Sequence, residues 1–414
     1  MALIVQKFGG TSVADVDRIR NAAVRVQATV AAGHQVVVVV SAMAGTTNQL
    51  LAWCNDLSAL DAPEHWANAD TVVASGEQIT CGLMALALQQ LGVPARSWAG
   101  WQVPITTTDS FSKATITAIN PDALHADLAA GLVAVVAGFQ GVTAGGRIST
   151  LGRGGSDLSA VALAAALKAD RCDIYTDVDG VYTADPRIVT DARKLGQVTY
   201  EEMLEMASAG AKVLQTRSVA LAMKYNVPLQ VLSSFRDMPG TFVVEDEKKM
   251  EQEVVTGLTH SRDEAKITLF DVPDRPGVAA SIFGPLAEAE INVDMIVQSV
   301  SPDGRQTDMT FTVPKGDLTR ATAALQAAHP TIGYEKLVAD AKVVKVSVVG
   351  VGMRSHAGVA ATMFACLSAK GINIQVISTS EIKISVLIAE EYLELAVRSL
   401  HSAYGLDVAS DPAV

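Results

Sequence analysis

The stretch Thr150-Leu151-Gly152-Arg153-Gly154-Gly155-Ser156-Asp157 narrows the fold of this chain more than any other. Glycine permits positive φ and lets a ligand approach backbone N–H groups. The strongly helix-forming run Leu158 to Leu167 follows directly, and Ser156 or Asp157 is the expected N-cap. A glycine-rich turn that feeds a helix N-terminus presents unpaired N–H groups and a positive dipole end to an anion. Arg153 adds a planar guanidinium suited to a carboxylate or phosphate. The plainer alternative is a tight loop before a buried helix.

With 414 residues the chain has room for two or three domains, and 49% apolar against 18% charged residues supplies a sizeable core. A net charge of -12 disfavours nucleic acid and anionic membrane as partners, so an anion pocket must be locally basic. Cys54, Cys81, Cys172 and Cys366 form no metal-binding spacing and fit a reducing, cytoplasmic setting. No signal-peptide pattern is present, no apolar run approaches membrane-spanning length, and no metal ligands are expected.

Leu3 to Phe8 reads as a buried strand that ends in Gly9-Gly10 and is followed by a helix over Asp15 to Val30. Lys7 stands where ammonium and backbone can hold a phosphate together, although the spacing is not that of a Walker A loop and a solvated lysine is the alternative. Five consecutive valines, Val36 to Val40, suit a parallel strand buried on both faces. Its end, Ser41-Ala42-Met43, lies where open α/β sheets bind ligands. Thr47 reads equally well as the N-cap of a helix from Gln49. Glu77 opens an apolar helix over Ile79 to Leu91, where the helix dipole alone accounts for it. Val133 to Ala137 is a further buried strand. Thr176 to Arg187 is a second dense motif: a strand ending in Thr176-Asp177, a turn at Asp179-Gly180, and a closing Asp185-Pro186-Arg187. Its D-x-D pattern lacks the distal glutamate of a calcium loop. Tyr182 could stack on a base and Arg187 reach a phosphate. Lys212 reads as part of a helix over Gly210 to Tyr225, and Val227 to Leu232 as the last strand before a polar boundary at Ser233 to Lys249.

The C-terminal part repeats. Gly277-Val278-Ala279-Ala280 recurs 81 residues later as Gly358-Val359-Ala360-Ala361, with Phe283, Ile291-Asn292 and Ile296 matched at the same offset by Phe364, Ile372-Asn373 and Ile377. Duplicated βαββ units of this kind are expected to pair into one continuous sheet with helices on one side. Gly350-Val351-Gly352 lacks the third glycine and the acidic residue of a dinucleotide site.

Lys7 to Ser12, Ser41 to Met43, Gly76-Glu77, Thr150 to Asp157 and Thr176 to Arg187, in this order, resemble the aspartate kinases, and the repeat resembles their tandem ACT domains; the resemblance covers nearly the whole chain. It implies an α/β chain of amino acid kinase fold, a mostly parallel open sheet between helix layers over 1–245. A linker and first strand of the second ACT unit would follow at 246–264, with Val254 to Thr259 as that strand. Two ferredoxin-like βαββαβ ACT domains would occupy 265–335 and 336–414. The implied reaction is transfer of a phosphoryl group from ATP to the side-chain carboxylate of L-aspartate, by a monofunctional enzyme. A carboxylate is already ionised, so positioning and charge neutralisation suffice and no general base is required.

The resemblance further implies roles for single residues. Lys7, Asp157 and Lys212 would be catalytic, Asp157 orienting both lysines. Lys7, Phe8, Gly9, Gly10, Ser41, Thr176, Asp177, Tyr182, Asp185, Arg187 and Lys212 would bind nucleotide. Ser41, Thr47, Glu77, Arg153, Gly154, Gly155 and Ser156 would bind aspartate, with Glu77 on its ammonium. Mg²⁺ would arrive with ATP, held by phosphates and water. Lysine, threonine or both would act as feedback effectors at Asp274, Pro276, Gly277, Val278, Ala279, Asn292, Asp294 and Gln298, and at Val359, Ala360, Asn373, Ile374, Ser380 and Glu381. The second loop, Ser355-His356-Ala357-Gly358, lacks the Asp and Pro of the first, so the two sites are not equivalent. A homo-oligomer through the ACT domains is implied, or an α2β2 assembly whose regulatory subunit starts internally near Met250. The rival readings are a glutamate 5-kinase or acetylglutamate kinase, and a non-catalytic amino-acid sensor.

Overall fold

A computed structural model describes residues 1–245, 254–302 and 304–408; Met250 lies outside them. The chain divides into two compact units. The first gathers Met1–Val181, Lys194–Ala207 and the chain from Lys212, and the second gathers Tyr182–Arg193, Ser208–Ala211 and the chain from 254 onward.

The first unit runs β1 (Leu3–Phe8), α1 (Val16–Ala31), β2 (Gln35–Val40), α2 (Thr46–Leu57), α3 (Pro63–Val73), α4 (Ser75–Gln90), β3 (Ala95–Trp98), β4 (Ile105–Thr107), β5 (Ile116–Ile119), α5 (Asp122–Ala129), β6 (Val133–Ala137), β7 (Gln140–Thr143), β8 (Ile148–Thr150), α6 (Gly155–Leu167), β9 (Arg171–Thr176), β10 (Gln197–Thr199), α7 (Tyr200–Ser208), α8 (Thr216–Tyr225), β11 (Leu229–Ser233) and β12 (Thr241–Val244). Eight strands form one sheet in the order β10-β12-β11-β9-β1-β2-β6-β3, and only the β11–β12 pair is antiparallel. Thus β11 is followed by one more strand than the sequence led us to expect. β4, β5, β7 and β8 make a smaller sheet.

All five valines of β2 are buried. Val36, Val38 and Val40 pack with Ile19 and Val26 of α1 and with Met84 and Leu88 of α4. Because strand side chains alternate, Val37 and Val39 face the opposite layer, where α6 lies against β1, β2 and β9. That helix is buried from Gly155 through Ala164. By length and composition the stretch Pro63–Gln90, α3 with α4, is long and apolar enough to cross a membrane, although Glu64, Asp70 and Glu77 interrupt it and it holds no unbroken apolar run. Its inward face packs into the core beneath the sheet, which accounts for its apolar character without a bilayer.

In the second unit β13 (Gly257–Ser261) precedes β14 (Ala265–Pro273), α9 (Val278–Glu288), β15 (Asp294–Val300), β16 (Gln306–Val313), α10 (Leu318–Ala327), α11 (His329–Ile332), β17 (Lys336–Asp340), β18 (Val343–Val349), α12 (Val359–Ala369), β19 (Val376–Thr379), β20 (Lys383–Ala389) and α13 (Leu393–Ala403). These build two separate four-stranded sheets, β15-β16-β14-β17 and β13-β18-β20-β19, rather than the single continuous sheet expected. Each repeat closes its own ladder: β17 pairs with β14, so the first repeat reaches Asp340 instead of residue 335, and β13 pairs with β18 ahead of the inserted first repeat. The strand begins at Gly257, three residues later than expected. α9 and α12 are each N-capped by a left-handed glycine, Gly277 and Gly358.

The Tyr182–Arg193 segment belongs to this unit, not to a catalytic domain running unbroken to residue 245. Leu258 N donates to Thr183 O at 2.7 Å, Arg398 Nε to Ile188 O at 2.8 Å and Arg193 Nε to Leu406 O at 2.8 Å. His401 Nε2 lies 2.9 Å from Thr183 Oγ1, and Ala184, Ile188 and Val189 complete the core of the second repeat.

Candidate active site

The carboxyl ends of β1, β2, β6 and β9 converge where the strand order changes direction, the expected ligand edge of an open α/β sheet. β1 delivers Lys7 between Val39 and Ile174. Lys7 is buried, 8% exposed, and its Nζ lies 2.5 Å from Asp157 Oδ1 on the first turn of α6, also 8% exposed. Gly9 follows in extended backbone; a Cβ there would sit 3.2 Å from Lys7 Nζ, so a side chain would crowd the ammonium.

The glycine-rich turn has its own cap. Gly154, at φ 74°, is the N-cap of α6, and Ser156 and Asp157 lie within the first turn, not at the cap expected for them. No side chain fits at Gly154, since its Cβ would fall 2.2 Å from Gln215 Cγ, and the left-handed backbone is itself unfavourable for other residues. Gly155 packs against Phe139, which is held at φ 67°. Phe139 O accepts from Leu151 N at 2.9 Å. Arg153 is exposed and, among the described residues, makes neither an ion pair nor a hydrogen bond. The turn therefore offers a guanidinium and a capped helix N-terminus to a ligand anion.

Glu77 lies in the first turn of α4 and is 3% exposed. Its Oε1 accepts from Ala42 N at 3.0 Å, whereas its buried Oε2 has no partner. Burial pushes its carboxyl up to about 7, against the opposing hydrogen bond from Ala42. A dipole-stabilised surface glutamate would be neither buried nor half-satisfied, so the plain alternative for this residue does not account for it. Ala42 O in turn lies 3.1 Å from where a Gly10 Cβ would stand, which links Glu77 to the Lys7 strand end. Ser41 N donates to Phe8 O at 3.1 Å. Ser156 abuts Gly138 at the end of β6. Thr47 is inside α2, whose N-cap is the left-handed Gly45, and does not cap a helix from Gln49.

Two expectations change. Lys212 is not helical: α8 starts at Thr216, and Lys212 occupies an exposed turn before it, because Gly210 and the bends around it break the helix. Asp157 pairs with Lys7 and makes no ion pair with Lys212 among the described residues. Thr176 and Asp177 end β9 in the first unit, whereas Tyr182, Asp185 and Arg187 belong to the second, with Arg187 forked onto Asp185 at 3.0 and 2.8 Å. Among the described residues no group of three His, Cys, Asp or Glu converges to hold a metal.

Behind this edge sequence reasoning missed Tyr175, Arg25, Ser234 and Asp70. Phe8 stacks on Tyr175 with centroids 4.7 Å apart. Ser234 Oγ donates to Ser12 Oγ at 2.5 Å, and Arg25 Nε to Ser234 O at 3.0 Å. Asp70 of α3 is buried and bound to Thr150. Its signal was present: Asp70 and Glu77 stand two turns apart on one face of an apolar helical stretch.

In the second unit the expected effector residues Asp274, Pro276, Gly277 and Ala279 lie exposed around the N-terminus of α9, with Val278 buried. Val359 and Ala360 open α12 in the matching position, and Asn292, Gln298, Asn373, Ser380 and Glu381 are exposed while Ile374 is half-buried. Asp294 is already engaged: Lys345 Nζ of the second repeat lies 2.7 Å from Asp294 Oδ2 and 2.7 Å from Glu264 Oε1. Burial works against charge at Asp294 and at Lys345, yet Lys345 holds the Asp294 carboxyl below its ordinary value, and Glu264 together with Asp294 holds the Lys345 ammonium above its own.

Fold and site together define an amino acid kinase that carries ACT repeats. The amino acid kinase family matches residues 2–233, and ACT domains match 266–330 and 346–404. The chain is 55% identical over 409 residues to the aspartokinase of Pseudomonas aeruginosa, covering 98% of each, and 49% identical over 411 residues to that of Mycobacterium tuberculosis, covering 98% of this chain and 97% of that one. Its structure superposes on Escherichia coli aspartokinase III in complex with aspartate and ADP at a TM-score of 0.80 and 28% identity, covering 97% of this chain and 99% of the other. The lysine- and aspartate-bound form of that enzyme gives 0.76 at 29% identity, with the same coverage. The chain belongs to the aspartokinase family. It is an ATP-using aspartate kinase of amino-acid biosynthesis with regulatory ACT domains.

Proposed function

We propose that the strand-end site phosphorylates the side-chain carboxylate of L-aspartate to 4-phospho-L-aspartate with the residues described above. The half-satisfied Glu77 carries this reading. A buried carboxylate with one unpartnered oxygen fits a ligand cation, and aspartate presents a free α-ammonium where an N-acetylated substrate has none. Arg153 clamps a substrate carboxylate, with the Gly154 and Gly155 amides, Ser156, Ser41 and Thr47 around the same ligand. Lys7, held by Asp157, neutralises charge on the transferring phosphoryl group beside the Gly9-Gly10 backbone. Phe8, Ser41, Thr176, Asp177 and the exposed Lys212 serve the nucleotide. Mg²⁺ would accompany ATP and spread the charge of its phosphates, held largely by phosphates and water.

Lysine, threonine or both act at the ACT loops, in a cytoplasmic homo-oligomer or an α2β2 assembly. The lysine-bound form of the Escherichia coli enzyme supports an amino-acid effector. The test is hydroxylamine trapping of the acyl phosphate with ATP and L-aspartate, L-glutamate or N-acetylglutamate, with and without lysine plus threonine. Hydroxamate is expected from aspartate alone and is suppressed by the effectors. Equal turnover of N-acetylglutamate refutes the Glu77 assignment, equal turnover of glutamate refutes aspartate as the preferred substrate, and insensitivity to both effectors refutes the regulatory reading.

A further inference from the structure

Asp70 of α3 is 2% exposed, and no ion pair reaches it among the described residues. Four contacts satisfy its carboxylate. Ser112 N donates to both oxygens at 3.2 and 3.0 Å, Thr150 N to Oδ2 at 2.7 Å, and Thr150 Oγ1 to Oδ1 at 2.8 Å. A carboxylate buried without a cation is expensive and persists only where several donors are fixed around it. Here every donor comes from the two segments that frame the glycine-rich turn. Thr150 opens the turn, and its own carbonyl accepts from Ala114 N at 2.9 Å. Gly152 is pressed so closely on the other segment that a Cβ would stand 3.0 Å from Ser112 O. Arg217 ties the same two segments from outside, donating to Leu151 O at 2.6 Å and Ala114 O at 3.1 Å.

We propose that Asp70 is a positioning residue for phosphoryl transfer: through Thr150 and Ser112 it sets where the Arg153–Gly155 turn stands, and with it the clamp on the substrate carboxylate. The inference rests on the reading of Arg153 given above. It gives Asp70 no contact with substrate; its effect passes through the turn, where a displacement of about 1 Å costs about 100-fold in rate.

The test is Asp70→Asn in the full-length enzyme. The variant keeps the size of the side chain but replaces one accepting oxygen by an NH2 donor that faces other donors. Its kcat/KM for aspartate is expected to fall about 100-fold, with a raised KM for aspartate and an unchanged KM for ATP. Thr150→Val, which keeps the backbone donor and removes only the hydroxyl, is the milder second variant. It moves the same constants in the same direction and keeps the test decisive if Asp70→Asn does not fold. Asp70→Asn added to Arg153→Ala is expected to raise the aspartate KM little further, because both changes act on one clamp. Aspartate and ATP constants that move together, or a lowered Tm beside parent kinetics in both variants, leave Asp70 a merely structural residue and overturn the proposal. An unchanged aspartate KM in Arg153→Ala overturns the clamp reading and this inference with it. A raised KM there beside parent-like Asp70→Asn and Thr150→Val overturns the inference alone.

Discussion

At Glu77, burial decides both chemistry and stability. Its folded value of about 7 lies above the ordinary 4.5, so between those two pH values the folded state holds a proton that the unfolded state has released. Stability from this group is therefore present at low pH and lost as pH rises from about 4.5 to about 7, by an amount on the order of 3 kcal/mol. Glu77→Gln, nearly isosteric, should leave Tm unchanged near pH 5 and raise it near pH 8 in the free enzyme, while aspartate turnover collapses at both. Thermal melts at the two pH values check it, and an equal effect at both refutes the assignment. In the parent enzyme a substrate ammonium selects the ionised carboxylate. The KM for aspartate should accordingly fall roughly tenfold as pH rises from about 6 to about 8, as the ionised fraction grows. Glu77 was legible in the sequence by type and place, but its weight was not. Only the packing of α4 beneath the sheet shows that a glutamate at a helix start is dry and half-satisfied.

At the scale of elements, the segment after β9 is divided between two units. Thr176 ends a strand of the kinase sheet with Asp177 next to it, and five residues after Asp177 Tyr182 opens a stretch stitched to α13 by His401 and Arg398, and to Leu406 just beyond α13 by Arg193. Burial pushes the His401 imidazole below its ordinary value and favours the neutral ring against Thr183. His401→Ala removes one buried hydrogen bond, worth about 1 kcal/mol, and should lower the melting temperature of the regulatory unit by roughly 2–4 °C. Scanning calorimetry checks this, and an unchanged transition refutes it. The sequence motif read as one continuous piece because the residues are contiguous; nothing in their identities tells which hydrophobic core Ala184, Ile188 and Val189 will join. Lys212 shows the same limit at a helix boundary, since Gly210 and the bends after it delay the start of the helix to Thr216, six residues later than its apolar spacing implies.

At the scale of the whole molecule, the two repeats of the regulatory unit are joined by Lys345. Lys345 is 6% exposed, and its ammonium lies between Glu264 and Asp294. An effector ammonium directed at Asp294 must share this carboxylate with Lys345 or displace it. Lys345→Met leaves Glu264 buried and unpaired, at a cost of about 3–5 kcal/mol. Scanning calorimetry should then show an early transition of the regulatory unit ahead of the kinase unit. Turnover without effectors should be kept and feedback inhibition weakened. A single transition at the parent temperature, with inhibition intact, contradicts that role.

The residues alone determined an anion-binding turn and the duplication, and the kinase chemistry followed from the resemblance that their motifs carry in order. A glycine-rich turn before an apolar helix, a lysine at a strand end and a repeated glycine-valine loop are local patterns, and backbone geometry and hydrogen-bond supply constrain them locally. The tertiary structure decided what depends on long-range burial. It placed Asp157 on Lys7 and Asp70 under Thr150, left Glu77 with an unpartnered oxygen, assigned Tyr182–Arg193 to the regulatory core, and gave each repeat its own closed sheet. A residue's neighbours across a core are fixed by which faces exclude water together, and that information is spread over the whole chain.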